Sequence, residues 1–390
     1  MLAGALGPWD GDVSLFLGIC VWAKNYCFCA TCASLDGTVS SQARGCCSET
    51  ALKPCKPLFD RLIAVLSMEI PLDHGVDDIN VLMKVGAEHA HDIDALCTDI
   101  ASVIFPTAVN PPTEATISAV SAKLIQLVSD LEARLLSKRN PHFPLTWDIL
   151  SKSGFLREPD LIDFILARVA EDRLGACIAQ DKVKSASAYL DHQNGMLADA
   201  AQTLLAAESL HRSGAGNTYL GLTSELLYKL TWQIVAAIEI GEGARQPAII
   251  ASAKSLLSSF CEADRAQDAA RKIVHFSDDP THTLVGNPEI YGLHLHVAAL
   301  SADLELDHDH ILRLIDASSS APYAVMLAAC GVSKTHALKN IFLFRGDLIT
   351  PREAGIFEYG YANLQADEAL TQIGYWASAR AQFLSGGKLP

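Results

Sequence analysis

Apolar residues return every three or four positions through most of the chain after about Leu72, the spacing that buries one face of a helix. Ile79, Leu82, Val85, Ile93, Leu96, Ile100 and Val103 make the first stripe. Pro106 and the pair Pro111–Pro112 stop it, because proline lacks the N–H that a helix interior needs. Ile117, Val120, Leu124, Leu127, Leu131 and Leu135 make the second stripe, closed by Lys138–Arg139 and Asn140–Pro141. A short proline-rich connection between two such helices predicts an antiparallel pair.

The same period continues. Gly154 breaks a short helix around Trp147, Ile149 and Leu150, and Glu158–Pro159–Asp160 starts the next. Met196 to His211 is helical after a polar turn at Asp191–Gly195. Thr223 to Ile240 is the most apolar stretch. It carries Trp232 between Leu230 and Ile234, and it is apolar on more than one face, which predicts neighbours on both sides and an enclosed Trp232. Further helices are predicted over Pro247–Phe260, Ala263–Val274, Pro288–Leu304, His310–Ser318, Pro322–Ala329 and Lys334–Leu343. Thr350–Pro351–Arg352–Glu353 is a start signal for a last helix running to about Leu384, if Gly355, Gly360 and Gly374 leave it whole.

No window alternates as a strand does. Many short helices on short loops predict an all-α fold, an irregular α-solenoid or HEAT-like helical array with degenerate repeats. The expected divisions are a Cys-rich segment over 1–67, a helical pair over 68–142, the array over 143–345, and a C-terminal helix and tail over 346–390.

Composition sharpens this picture. Half of the 390 residues are hydrophobic and only 7% are aromatic, which favours helices over sheet sandwiches. The formal charge of −15 disfavours a nucleic-acid partner, since an acidic surface repels phosphate. No run of 18 apolar residues predicts a membrane span. Val13 to Ala23 is preceded by Asp10 and Asp12 rather than by positive charge, so a cytoplasmic location is expected over secretion. Seven of eleven cysteines fall within the first 55 residues. Cys27, Cys29 and Cys32 lack the paired spacing of a zinc ribbon, and a redox switch has few basic neighbours to support it. The remaining reading is a disordered segment, or a natural start at Met68. Cys97, Cys177, Cys261 and Cys330 are expected to be small core residues.

Two segments carry a family likeness. Ser153–Gly154–Phe155–Leu156–Arg157–Glu158–Pro159–Asp160–Leu161, with Ala167–Arg168 and Glu171–Asp172–Arg173–Leu174, is the first. Leu222–Thr223–Ser224–Glu225–Leu226–Leu227–Tyr228–Lys229–Leu230–Thr231–Trp232 is the second. Together with Leu327–Val332 they resemble the alphaproteobacterial domain-of-unknown-function family twenty-three thirty-six, over about Val76 to Leu343. Thr223 stands where that family has proline, Thr231 where it has an apolar residue, Ile238 where alanine or leucine is usual, and Ala328 where it has arginine. The resemblance implies a HEAT-like helical domain of cytoplasmic bacterial proteins. It brings no established activity, cofactor or catalytic residue.

Candidate chemistry is sparse. There is no nucleophile elbow, phosphate loop or zinc-protease motif, and no cofactor is expected. Glu88–His89–Ala90–His91–Asp92 is dense in ligand types, but residues two apart on a helix diverge, so His89 is expected at the core margin. His294, His296, His308 and His310, with Asp307 nearby, give the alternative of a metal-dependent enzyme. Against it, His294 and His296 cannot share one helical face, and Asp307 or Asp309 is expected to cap a helix. The favoured expectation is a non-catalytic protein that binds a protein partner, with Tyr189, Tyr219, Phe357 and Tyr359 as candidate contact residues.

Overall fold

The computed structural model of the chain describes residues 79, 81–90, 114–137, 143–178, 183–212, 218–242, 246–346 and 349–384. Among these residues all regular structure is helical, as the period predicts. Helix α1 covers 81–90. Then come α2 (Glu114–Leu136), α3 (Trp147–Ser153), α4 (Pro159–Cys177), α5 (Gly195–Arg212), α6 (Ser224–Glu242), α7 (Pro247–Ser259) and α8 (Ala266–Phe276). Two short helices, α9 (Thr281–Gly286) and α10 (Pro288–Tyr291), lead to α11 (Leu293–Leu304), α12 (His308–Ile315), α13 (Ala321–Ala329) and α14 (Lys334–Arg345). The last two are α15 (Pro351–Asn363) and α16 (Ala366–Leu384). The segment 1–67, with its Cys cluster, and His91 and Cys97 lie outside the described residues.

Local chemistry sets most boundaries. Gly154 ends α3 at φ +79°, a conformation that costs a side-chain-bearing residue energy, and Pro159 opens α4. Gly292, at φ +86°, divides the helix expected over Pro288–Leu304 into α10 and α11. Gly241 ends nothing, and α6 runs on to Glu242. The expected C-terminal helix is broken, though not at a glycine. Leu364 turns extended and buries its side chain, and α16 begins two residues later.

Some helix starts are capped by their own neighbourhood. The hydroxyls of Thr223, Ser333 and Thr350 accept the N–H of Leu226, His336 and Glu353. Others are capped from afar by a carboxylate. Buried Glu132 of α2 accepts the N–H of Leu145 at 2.9 Å and of Thr146 at 2.7 Å, just ahead of α3, and also the Thr146 hydroxyl. Asp130 takes the N–H of Thr218, Glu262 that of Ser224, and Glu353 of α15 that of Ser320 ahead of α13. Each satisfies a donor that the helix itself leaves open.

Three apolar cores result. The first packs α2, α3, α6 and α7 around Leu124, Leu131, Ile165, Leu230 and Ile234. The second lies between α5, α8 and α11, around Leu204, Ile273 and Leu295. The third gathers α11 to α16 around Tyr323. Two helices serve more than one core. α4 gives Leu161 and Ile165 to the first and Ala170 and Leu174 to the third, and α11 gives Leu295 to the second and Val297 and Leu300 to the third.

Several expectations are corrected. Most of the helix expected to pair with α2, over 91–103, lies outside the described residues. Leu82 and Ala90 enter the third core, and Gly86 lies against Ala321 and Val325 of α13, where the lack of a side chain lets the two helices approach. Trp232 is half-buried, since α6 exposes one side, where Trp232 meets the outward Tyr228 edge-on at 6.2 Å. Cys177, at the last residue of α4, and Cys261, in the connection after α7, are exposed, and Cys330, just past the end of α13, is half-buried.

Candidate functional site

The three cores meet along a seam that holds charge. α4 places Arg168 and Glu171 there, one helical turn apart, between its two apolar contributions. Glu208 comes from the end of α5, His294 from the second residue of α11, and His308, Asp309 and Arg313 from α12. Glu171, Glu208, His294, His308 and Arg313 are all buried. Charges buried to this degree persist only when they are paired.

They are paired here. Arg168 forms ion pairs with Glu171 on its own helix and with Asp309 across the seam, the latter at 2.5 Å. His294 bridges two helices, its Nε2 2.8 Å from Glu171 and its Nδ1 3.2 Å from Glu208. Arg313 reaches Asp163 of α4 at 2.9 Å. At the rim, Asp172 takes Lys123 at 2.6 Å and His211 at 3.2 Å.

The electrostatics follow from this pairing. Both ring nitrogens of His294 face carboxylates, and only the doubly protonated ring can donate to both. Burial works against that charge, but Glu171 and Glu208 overcome it and hold the His294 pKa at about 9. Burial likewise opposes ionisation of Glu171, and Arg168 and His294 hold it below the usual carboxylate range. For Asp309 burial prevails over Arg168, and its pKa is raised. His308 is pushed well below its ordinary value by burial and by the positive charges of Arg168 and His294, so it is neutral.

The four histidines do not converge. His294 turns to the acids of α4 and α5, while His296 turns the other way, where its Nε2 meets the Tyr323 hydroxyl at 2.9 Å. Burial lowers the His296 pKa to about 4. Among the described residues no three His, Cys, Asp or Glu side chains surround a point where a metal ion could sit. Asp307 stands at the cap position of α12 without a side-chain cap bond, and Asp309 is drawn to Arg168 instead.

Three of the four candidate contact residues are interior. Tyr189 and Tyr219 are buried, Tyr189 with its hydroxyl on Asp279 at 2.6 Å, and Phe357 stacks on Tyr361 within the third core. A ring in that position offers a partner no surface unless the core opens. Tyr359 alone of the four is exposed, at 42%. Sequence reasoning missed the seam itself. A local signal for it was the Arg168–Glu171 spacing at buried positions of α4, while its other members come from α5, α11 and α12, far along the chain. Comparisons of the chain with family models, curated proteins and solved structures return no match.

Proposed function

We propose that this chain is a protein-binding or regulatory helical scaffold without catalysis of its own, a HEAT-like array of the cytoplasm as its family likeness implies. One observation carries the reading. The ionisable groups that could do chemistry face one another in a closed seam, while aromatic and aliphatic side chains stand outward on the helices. Tyr228 is 57% exposed on α6, with Ile240 further along it, and Leu370 and Tyr375 are exposed on α16. Outward aromatic and aliphatic side chains on a rigid helix are the usual anchors of helix and peptide docking. No helix among the described residues is long and apolar enough to cross a membrane.

The test is in-cell photo-crosslinking from a probe placed at Tyr228 or Tyr375, with a probe at the polar surface residue Asp160 as control. The expected result is one discrete cross-linked protein from an apolar position and none from the control. Equal, diffuse cross-linking from all three positions would overturn the reading.

A further inference from the structure

Beside the second core, the start of α5 and one side of α8 border a shallow, open hollow of about 500 Å³. This is within the size range of small-molecule and peptide-anchor sites. Its apolar floor is Met196, Ala263 and Phe276, and Met196 is 61% exposed. Its charged lining is Glu262, Arg265, Asp268, Arg271 and Lys272, with His275 beside them.

The two acids of this lining are already engaged. Glu262 accepts the N–H of Ser224 at 3.0 Å and pairs with Arg265 at 2.8 Å. Asp268 pairs with Arg265 at 2.5 Å and more loosely with Arg271 at 3.3 Å. Among the described residues Lys272 and His275 meet no carboxylate, and the contact of Lys272 is the Ala263 carbonyl at 3.5 Å. Arg271, Lys272 and His275 are all exposed. Arg265, Arg271 and Lys272 against Glu262 and Asp268 leave the rim with a small positive excess beside apolar side chains, on a chain with a formal charge of −15. A rim of that sign attracts acidic groups, which the rest of such a surface repels.

We propose that this hollow docks an acidic segment of a partner protein, with one large apolar side chain on Met196 and Phe276 and flanking carboxylates toward Arg271, Lys272 and His275. The proposal rests on the protein-binding reading and names the chemistry of its partner. Met196 and Phe276 suit an apolar side chain, which a nucleic acid does not carry, so a peptide fits better. The open side suits a chain that passes through rather than a small molecule held within.

The probe is a fluorescein-labelled acidic octapeptide with one central phenylalanine, titrated with the full chain at low salt and followed by fluorescence anisotropy. Saturable binding is expected, and it weakens with added salt. An Arg271→Glu, Lys272→Glu double variant and, separately, Met196→Asp should each bind about tenfold less tightly. These positions are exposed, and matching circular dichroism and melting curves will show that the variants fold. Lys272→Ala, a milder change, should give a smaller loss in the same direction. Unchanged binding by the double variant, equal binding of a basic octapeptide or of an oligothymidylate, or no saturable binding of the acidic peptide would overturn the assignment. If the peptide fails while a discrete cross-link from Tyr228 or Tyr375 persists, only this site falls. If both fail, the protein-binding reading falls with it.

Discussion

Replacing His294 by glutamine removes the cation that ties α11 to both α4 and α5. His294 is 9% exposed and holds Glu171 at 2.8 Å and Glu208 at 3.2 Å. The size of the effect can be reached in two ways. Removing one partner of a buried ion pair costs about 3–5 kcal/mol. A pKa raised from about 6.5 in the unfolded chain to about 9 in the folded one corresponds to about 3 kcal/mol. Glutamine keeps some hydrogen bonding, so a loss of about 2–3 kcal/mol at pH 6.5 is expected. The sign with pH is set because the folded state holds this proton more tightly. The stabilisation is fully present below about pH 6.5 and is lost as pH rises through about 9. Urea unfolding of both proteins at pH 6.5, 8 and 10 should show the gap between them narrowing as pH rises. Burial raises the Cys330 and Tyr361 pKa values, which lowers stability at alkaline pH in both proteins alike. The difference therefore isolates His294. A gap as large at pH 10 as at pH 6.5 would refute the assignment of a charged His294 to this seam.

Three other expectations follow from single contacts. Asp316 is raised to about 6 by burial, in spite of Arg173 at 3.1 Å, so stability is lost as pH rises from about 4 through about 6 and stays lower above it. Asp316→Asn should gain about 2 kcal/mol on the natural protein between pH 4 and pH 8, and melting temperatures that move the other way would contradict this. Glu132→Ala leaves the buried N–H and hydroxyl of Thr146, and the part-buried N–H of Leu145, without their acceptor and should cost about 2 kcal/mol in chemical unfolding; a loss under about 1 kcal/mol would mean that other acceptors replace it. Trp232→Ala should cost about 2 kcal/mol rather than the larger loss of an enclosed ring, and emission from a Trp232-only variant should lie between water-like and fully buried values.

The helices were legible because burial repeats with the helical period, and the stops were legible because proline and glycine act locally. Pro159, Gly154, Ser333 and Thr350 do what their chemistry requires. Short α9 was not legible, since six residues carry too little period to register. The enclosure of Trp232 was misread for a related reason. Leu227, Leu230, Thr231, Ile234 and Val235 are buried in a wide arc, and even a polar Thr231 lies inside it while Trp232 sits at its edge. The divergence of His294 and His296 was legible, because two residues on one helix point about 200° apart. What His294 meets was not, because Glu171 and Glu208 reach it across 123 and 86 residues of chain. The burial of two aromatic candidates was hidden in the same way. Tyr189 and Tyr219 stand in broken segments, which reads as surface, but both segments fold a single helical turn back onto a core.

The long-range caps bear on how the chain folds in time. A helix closed by its own serine or threonine can form as soon as its residues are made. The turn ahead of α3 waits for Glu132, 13 residues back on another helix, and the turn ahead of α13 waits for Glu353, 33 residues further on. Such contacts are made late, so they belong to the native state more than to the folding barrier. Weakening Glu132 or Glu353 should therefore speed unfolding and leave the refolding rate nearly unchanged, while weakening Thr350, whose bond is local, should also slow refolding. Stopped-flow measurements on the three variants would separate the two behaviours. On this view the acids that close these helices act as late latches, setting how long the native state lasts more than how quickly it is reached.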